Sequence, residues 1–283
     1  NIDPEHLDHY GSLERIDDAF VDFANKVPFY GLVVTCCDHP GVLRIMPRIR
    51  KRLVTYGFSP QADYRATAPV LEPGRVSFTV EVRGERRGTV VLNMNGRHNI
   101  LNALACIAVA DELQVPFDVC TRALEGFDGV QRRFSRVGDA AGITVIDDYG
   151  HHPAEIRATI EGARQVYDNR IVVVFQPHRY TRTRDLGEQF HSCFHQADVV
   201  VVMDIYPAGE APIQGVSAEQ IARGIKAKGH RNVHYVPDHE RVIRWLEGNL
   251  ESGDLVLTMG AGDVWKIGPR LLDALGRKEE EKG

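Results

Sequence analysis

The chain has 283 residues, 43% of them hydrophobic and 26% charged, a globular composition that excludes a mainly disordered state and suits two domains of roughly 100–150 residues. A formal net charge of −5 argues against a general nucleic-acid binder or a protein held to anionic membranes, and no apolar run approaches the ~20 residues of a bilayer crossing. Five cysteines (Cys36, Cys37, Cys106, Cys120, Cys193) without C-x-x-C spacing fit reduced, partly buried thiols in a cytoplasmic protein, not a disulfide framework.

The opening string Asn1-Ile2-Asp3-Pro4-Glu5-His6 lacks a methionine and reads as the interior of a longer protein. Apolar residues at Ile16, Ala19, Phe20, Phe23, Ala24 and Val27 have the spacing of an amphipathic helix over 13–27. The run 31–36 suits a buried strand, and 42–56 reads as a second helix with a basic outer face. From 63 to 95 the pattern becomes short alternating strands, with 76–82 and 89–92 joined by a turn over 84–88, a hairpin signal. Helices are predicted over 99–113 and 116–124, and the domain boundary near 126–131.

Beyond that boundary, apolar strands at 143–146, 171–175, 199–203, 233–236 and 255–258 alternate with helical patterns, one of which opens at Pro153. Such alternation predicts a parallel sheet with crossover helices. The charged stretch 277–283 is expected to be a solvated, frayed tail.

In open parallel sheets, ligands bind beyond the carboxyl ends of the strands. Those ends carry His151, His152, His178, Arg179, Arg182, Asp204 and Asp263. If a helix starts at Arg179, it and Arg182 share a face and can converge on one anion; the plainer reading is two surface arginines bridging to acidic neighbours. The adjacent His151 and His152 point different ways and make no zinc site; one suits a ligand contact, the other packing. Asp147 and Asp148 likewise alternate, one toward the sheet and one toward solvent or site, and are no acid/base pair. Gly260-Ala261-Gly262-Asp263 is either a phosphate-binding turn or a tight strand-to-helix turn, because the third glycine of G-x-G-x-x-G is missing. Asn99 and Asn102, with His98 at the helix entry, can read a purine edge by pairing a donor with an acceptor; His98 or Asn99 alone reads as a plain N-cap. No G-x-x-x-x-G-K-[ST] loop is present to hold nucleotide phosphates.

Taken in order, the strings NIDPEHLDHY (1–10), PFYGLVV (28–34), TYGFSPQADYR (55–65), GRHNILNALA (96–105), GVQRRF (129–134), DDYGHHPAEI (147–156), FQPHRYTRTRDL (175–186) and MGAGDVWKIG (259–268) resemble the Mur ligases, most closely the branch that adds L-alanine to UDP-N-acetylmuramate. The resemblance covers nearly the whole chain. It implies an α/β fold: residues 1–128 as the later part of a P-loop-type ATP-binding domain with an antiparallel hairpin excursion, and 129–276 as a Rossmann-like parallel-sheet domain for the amino acid. The UDP-binding domain and the phosphate-binding loop would lie upstream, so the chain alone is expected to be inactive.

The activity implied is ATP-dependent and ADP-forming. ATP phosphorylates the lactyl carboxylate, and alanine attacks the acyl phosphate in peptidoglycan precursor synthesis, with ATP and Mg2+ required. By resemblance His6 is a magnesium ligand, with Asn1 and Glu5 in the same motif, and His98, Asn99 and Asn102 lie at the adenine. Tyr149, His151, His178, Arg179 and Arg182 would surround the alanine carboxylate and the reacting phosphate, with His178, Arg179 and Arg182 as the catalytic set. The alternatives are the sister ligase that attaches a murein tripeptide, and a non-catalytic nucleotide or amino-acid binding module. A nicotinamide-dependent oxidoreductase would need the full glycine motif and an acidic residue after the next strand, and has neither.

Overall fold

The computed structural model describes residues 2–3, 10–72, 74–94, 96–127 and 129–280. The chain divides into two compact units, 1–128 and 129–283.

In the first unit, α1 (Leu13–Asn25) starts at Ser12, whose hydroxyl accepts from the Arg15 N–H and so satisfies one of the helix's orphan donors. Strand β1 (Val33–Cys36) leads to α2 (Pro40–Ile45) and a single 3-10 turn, Met46–Arg48. Asp17 of α1 is buried and takes a two-pronged grip from Arg44 at 2.6 and 2.9 Å. The helix expected over 42–56 ends there, and its second half is strand β2 (Leu53–Gly57). Pro47 supplies no N–H to continue an α-helix, and the β-branched Val54 and Thr55 fit a pleated surface better than a helical one.

Strands β3 (Tyr64–Glu72), β4 (Arg75–Val82) and β5 (Glu85–Leu92) complete a sheet of order β1-β2-β3-β4-β5 among the described residues. The first three strands are parallel and the last two are antiparallel additions. Against it pack α3 (Arg97–Glu112), which buries Ile100, Leu104 and Ile107 on Val76, Phe78, Val80 and Leu92, and α4 (Phe117–Glu125). Each such fully buried aliphatic side chain is worth about 1.5–3 kcal/mol over an exposed one.

The second unit opens with β6 (Ser135–Ala140), an antiparallel edge strand that the hydrophobic pattern does not announce, since Val137 is its one large apolar residue. Then come β7 (Ile143–Asp148), α5 (Pro153–Arg164), β8 (Ile171–Phe175), the short helices α6 (Tyr180–Asp185) and α7 (Gly187–Phe190), and β9 (Val199–Val202). They are followed by α8 (Ala218–Ala227), β10 (Val233–Tyr235), α9 (His239–Asn249), β11 (Leu255–Met259) and α10 (Ile267–Glu280). The sheet runs β10-β9-β8-β11-β7-β6, parallel except for β6. Apolar layers on both faces explain why its central strands are unbroken runs such as Ile171-Val172-Val173-Val174-Phe175 and not alternating ones. The stretch expected to be a frayed tail from 277 is helical as far as Glu280. The five cysteines are unbridged, and only Cys106 is exposed. No helix of the described residues is long and apolar enough to cross a membrane.

Candidate active site

The last strand of the second unit, β11, lies between β7 and β8. That insertion brings three strand-end loops side by side: 147–152 after β7, 260–263 after β11 and 176–182 after β8.

His178 sits at the centre. The backbone pairing of β8 with β9 continues past the strands, with the Tyr206 N–H donating to the Pro177 carbonyl and the Arg179 N–H to the Tyr206 carbonyl, both at 2.8 Å. This sets the His178 and Tyr206 rings in a parallel stack, centroids 5.6 Å apart and planes 8° apart. His151 meets His178 edge-on at 5.9 Å, and Tyr149 meets His151 edge-on at 5.3 Å. The Arg182 guanidinium lies 3.1 Å from His178 Nδ1. Burial, reinforced by the charge of Arg182, the nearby His151 ring and the charge of Arg179, pushes the His178 pKa down to about 4. His178 is therefore a neutral ring at pH 7.

The adjacent histidines are put to different uses. His152 is buried and caps α5: its Nδ1 accepts from the Ala154 N–H, while Glu155 returns to the His151 and His152 N–H groups. His151 turns toward His178. The shared helical face expected of Arg179 and Arg182 does not form, because Arg179 precedes α6 as its N-cap residue with φ +72°. Arg179 reaches toward Glu210 at 3.8 Å while Arg182 folds back on His178. Both charges still bear on the His178 ring.

Both aspartates of the β7 end are buried, so of the expected alternatives for the outer one, solvent or site, solvent is excluded. Asp147 accepts from Arg132 Nε at 2.9 Å and from the Thr258 hydroxyl at 2.7 Å. Asp148 accepts the N–H groups of Phe134 and Gly150. Burial raises the Asp148 pKa, and those two donors oppose the rise. The carboxylates are covered from the faces of the sheet: Asp147 by Arg132 and the Thr258 side chain of β11, Asp148 by the Phe134 and Gly150 backbone and by Thr159 of α5.

The glycine turn after β11 is a structural turn. The carbonyls of Gly260 and Gly262 face the Arg132 guanidinium at 2.6 and 3.3 Å, so acceptors, not donors, line that side. The other side is filled by Gln176, which accepts from the Val264 N–H and donates to Asp263. A Cβ on Gly262 would collide with Gln176 Oε1 and with Tyr206. Asp263 also pairs with His239 at 3.3 Å. Arg132, Gln176, Tyr206 and Glu210 have no sequence-local signal, since their partners lie up to 130 positions away.

In the first unit, the N-cap of α3 is Gly96 at φ +96°, so neither His98 nor Asn99 caps the helix. The side chains of Asn99 and Asn102 meet one turn apart, the Asn102 amide donating to Asn99 Oδ1 at 3.3 Å, with Asn102 and His98 exposed. Beside them the Arg97 guanidinium lies 4.0 Å over the Phe58 ring. His6, with Asn1 and Glu5, lies outside the described residues. Among those described, no group of three His, Cys, Asp or Glu side chains could hold a metal ion.

Comparison with known proteins places both units. Residues 1–110 match the Mur ligase middle domain, and residues 132–262 match the Mur ligase, glutamate ligase domain. The UDP-N-acetylmuramate–L-alanine ligase of Sorangium cellulosum is 55% identical over 267 residues, 93% of this chain and 57% of that protein. The protein of the same name from Geobacter sulfurreducens is 53% identical over 277 residues, 97% of this chain and 60% of its own length. Among solved structures, the UDP-N-acetylmuramate-alanine ligase of Thermotoga maritima superposes with a TM-score of 0.76 at 29% identity, covering 97% of this chain and 58% of that one. The MurF ligase of Thermotoga maritima in complex with ADP shares the fold at a TM-score of 0.75 and 20% identity, covering 100% of this chain and 62% of that one. The chain thus spans about three fifths of the length of the relatives it matches.

Proposed function

This chain belongs to the Mur ligase family, and we propose that it serves the ATP-dependent joining of L-alanine to the lactyl carboxylate of UDP-N-acetylmuramate, an ADP-forming step of cytoplasmic peptidoglycan precursor synthesis. The observation that carries this reading is a neutral His178 held between the Arg182 guanidinium and the Tyr206 ring, with Arg179 beside it, at the carboxyl end of the sheet.

In this reading Arg179 and Arg182 receive the alanine carboxylate, which guanidinium forks bind through paired, charge-assisted hydrogen bonds. The alanine amine then attacks the acyl carbon of the acyl phosphate. The C–N bond forms, the bond from that carbon to the phosphate oxygen breaks, and inorganic phosphate departs. The nitrogen's proton passes to the departing phosphate or to water, while negative charge grows on the acyl and phosphoryl oxygens. An arginine can only donate, so His178 Nδ1 accepts from Arg182, and the ring proton sits on Nε2. That tautomer makes His178 a hydrogen-bond donor toward the developing oxyanion and leaves it no lone pair for the amine proton. Tyr149 and His151 line the same edge and orient the amino acid.

On the first unit, His98 and the linked amides of Asn99 and Asn102 would meet the adenine of ATP, presenting donor and acceptor together to the purine edge. The described residues do not build a magnesium site; His6, which the resemblance offers as a ligand for Mg2+, lies outside them.

The test is ADP release by the complete protein supplied with ATP, UDP-N-acetylmuramate and L-alanine. The expected result is turnover that stops when either acceptor is withheld. Turnover with a murein tripeptide in place of L-alanine would assign the sister activity, and ligand binding without ADP release would make the protein a binding module.

A further inference from the structure

The loop after β9 carries a side chain that none of these roles uses. Glu210 closes a turn with Pro207 and reaches across to the start of α6. Its Oε2 accepts the Thr181 N–H at 3.0 Å, and its Oε1 accepts the Thr181 hydroxyl at 2.6 Å. The Arg179 guanidinium lies 3.8 Å from Oε1, and the Glu210 side chain is only 20% exposed. Burial alone would raise its pKa, but the hydrogen bonds from Thr181 and the Tyr180 N–H, with the charge of Arg179, outweigh burial and leave it lowered. Glu210 is an anion at neutral pH.

The start of α6 is unusual in two linked ways. A helix leaves its first N–H groups without partners, and a Ser, Thr, Asp or Asn at the N-cap normally supplies the acceptor. Here the N-cap is Arg179, which has no acceptor to offer and makes no side-chain cap. It also stands at φ +72°, a conformation that L residues seldom adopt. A Ser or Asp would cap the helix better, and a Gly would suit the backbone better. The acceptor comes instead from Glu210, 29 positions from Thr181, and the same carboxylate faces the arginine at the cap position.

We propose that Glu210 is a positioning residue of the amino-acid site: it caps α6 from the β9 loop and holds the Arg179 guanidinium beside His178 for an incoming carboxylate. The proposal rests on the reading of Arg179 and Arg182 as the pair that receives L-alanine. Glu210 touches no substrate in this arrangement and acts through Arg179. One Glu210 carboxylate facing Arg179 leaves the remaining guanidinium donors to a second carboxylate, so the site is charged and oriented before substrate arrives.

The experiment is steady-state kinetics of the complete protein carrying Glu210→Gln, which keeps the shape but removes the charge and replaces one acceptor by a donor. The L-alanine KM should rise about fivefold or more, with the ATP KM within about twofold and the melting temperature nearly unchanged. The double variant with Arg179→Lys should lose less than the product of the two single effects, as coupled residues do. If Glu210→Gln fails to fold, Thr181→Ala removes one of the carboxylate's two Thr181 contacts, and should raise the L-alanine KM about twofold or more. An unchanged L-alanine KM in either folded variant overturns the proposal, as does an equal rise in every KM with a lowered melting temperature, which marks a structural cap only. A wild-type protein with no L-alanine-dependent ADP release removes the proposed function itself. An alanine-dependent wild type with an unaltered variant removes only the role of Glu210.

Discussion

Arg132 binds Asp147 through Nε at 2.9 Å while its two terminal nitrogens hold the carbonyls of Gly260 and Gly262. One side chain thus joins the segment before β6, the end of β7 and the turn after β11. Arg132→Ala would leave the buried Asp147 with Thr258 as its remaining side-chain donor and two carbonyls without their shared partner. We expect a loss of about 2–4 kcal/mol in the unit 129–283, tempered by the partial exposure of Arg132. A urea titration should show a lower midpoint at unchanged slope; an unmoved midpoint would mean that water replaces the guanidinium at no cost.

Arg182→Lys keeps the charge near His178 but loses the planar fork. In the complete protein the L-alanine KM should rise about tenfold or more, at least ~1.4 kcal/mol. The ATP KM should stay within about twofold, because the residues assigned to adenine belong to the other unit. A rise in the ATP KM alone would place the guanidinium at the transferring phosphate instead.

For the adenine, Asn102→Ala removes the amide that donates to Asn99. ATP binding by calorimetry should weaken by about 1–3 kcal/mol, the loss of one or two hydrogen bonds in a ligand pocket, with amino-acid affinity unaffected. An unchanged dissociation constant in the folded variant would reduce the pair to a surface contact on α3.

The His178 ring makes a prediction in pH. Its folded pKa, about 4, lies below the ordinary 6.5. Between those values the unfolded chain binds a proton that the folded chain refuses, so stability rises with pH across that window. The contribution is complete above about pH 6.5 and is lost as the pH falls toward 4. His178→Gln should therefore flatten the acid limb of the stability profile relative to wild type. Identical slopes in the two proteins from pH 7 to 4.5 would show that the ring titrates normally.

The parallel sheet of the second unit was legible because its strands are buried on both faces and stand out as apolar runs such as 171–175 and 255–258. Strand β6 was not, because an edge strand packed by Val137 with exposed neighbours has no hydrophobic period to read. Strand β2 was hidden by the basic run Arg48-Ile49-Arg50-Lys51-Arg52, where a few apolar residues at helical spacing outweighed the warning of Pro47. The strand-end rule located the loops holding His151, His178 and Arg182. It could not place Asp147 and Asp148 in the interior, nor find Arg132, Gln176 and Glu210. Those residues matter through contacts that depend on strand order, and strand order is not written in local spacing.

The position of β11 has a consequence for how the protein is born. It is the last strand of its sheet to leave the ribosome, yet it occupies the slot between β7 and β8, which end at Asp148 and Phe175, well before β11 begins at Leu255. Until residues 255–263 emerge, the two loops carrying His151 and His178 have no shared floor, and Arg132 and Gln176 have no turn to grip. A nascent chain can build the β8-β9-β10 flank early, but its central gap exposes the edges of two apolar strands. Completing the site and closing that gap both wait on residues 255–263, so a chain halted in α9 would hold neither the finished sheet nor the assembled loops.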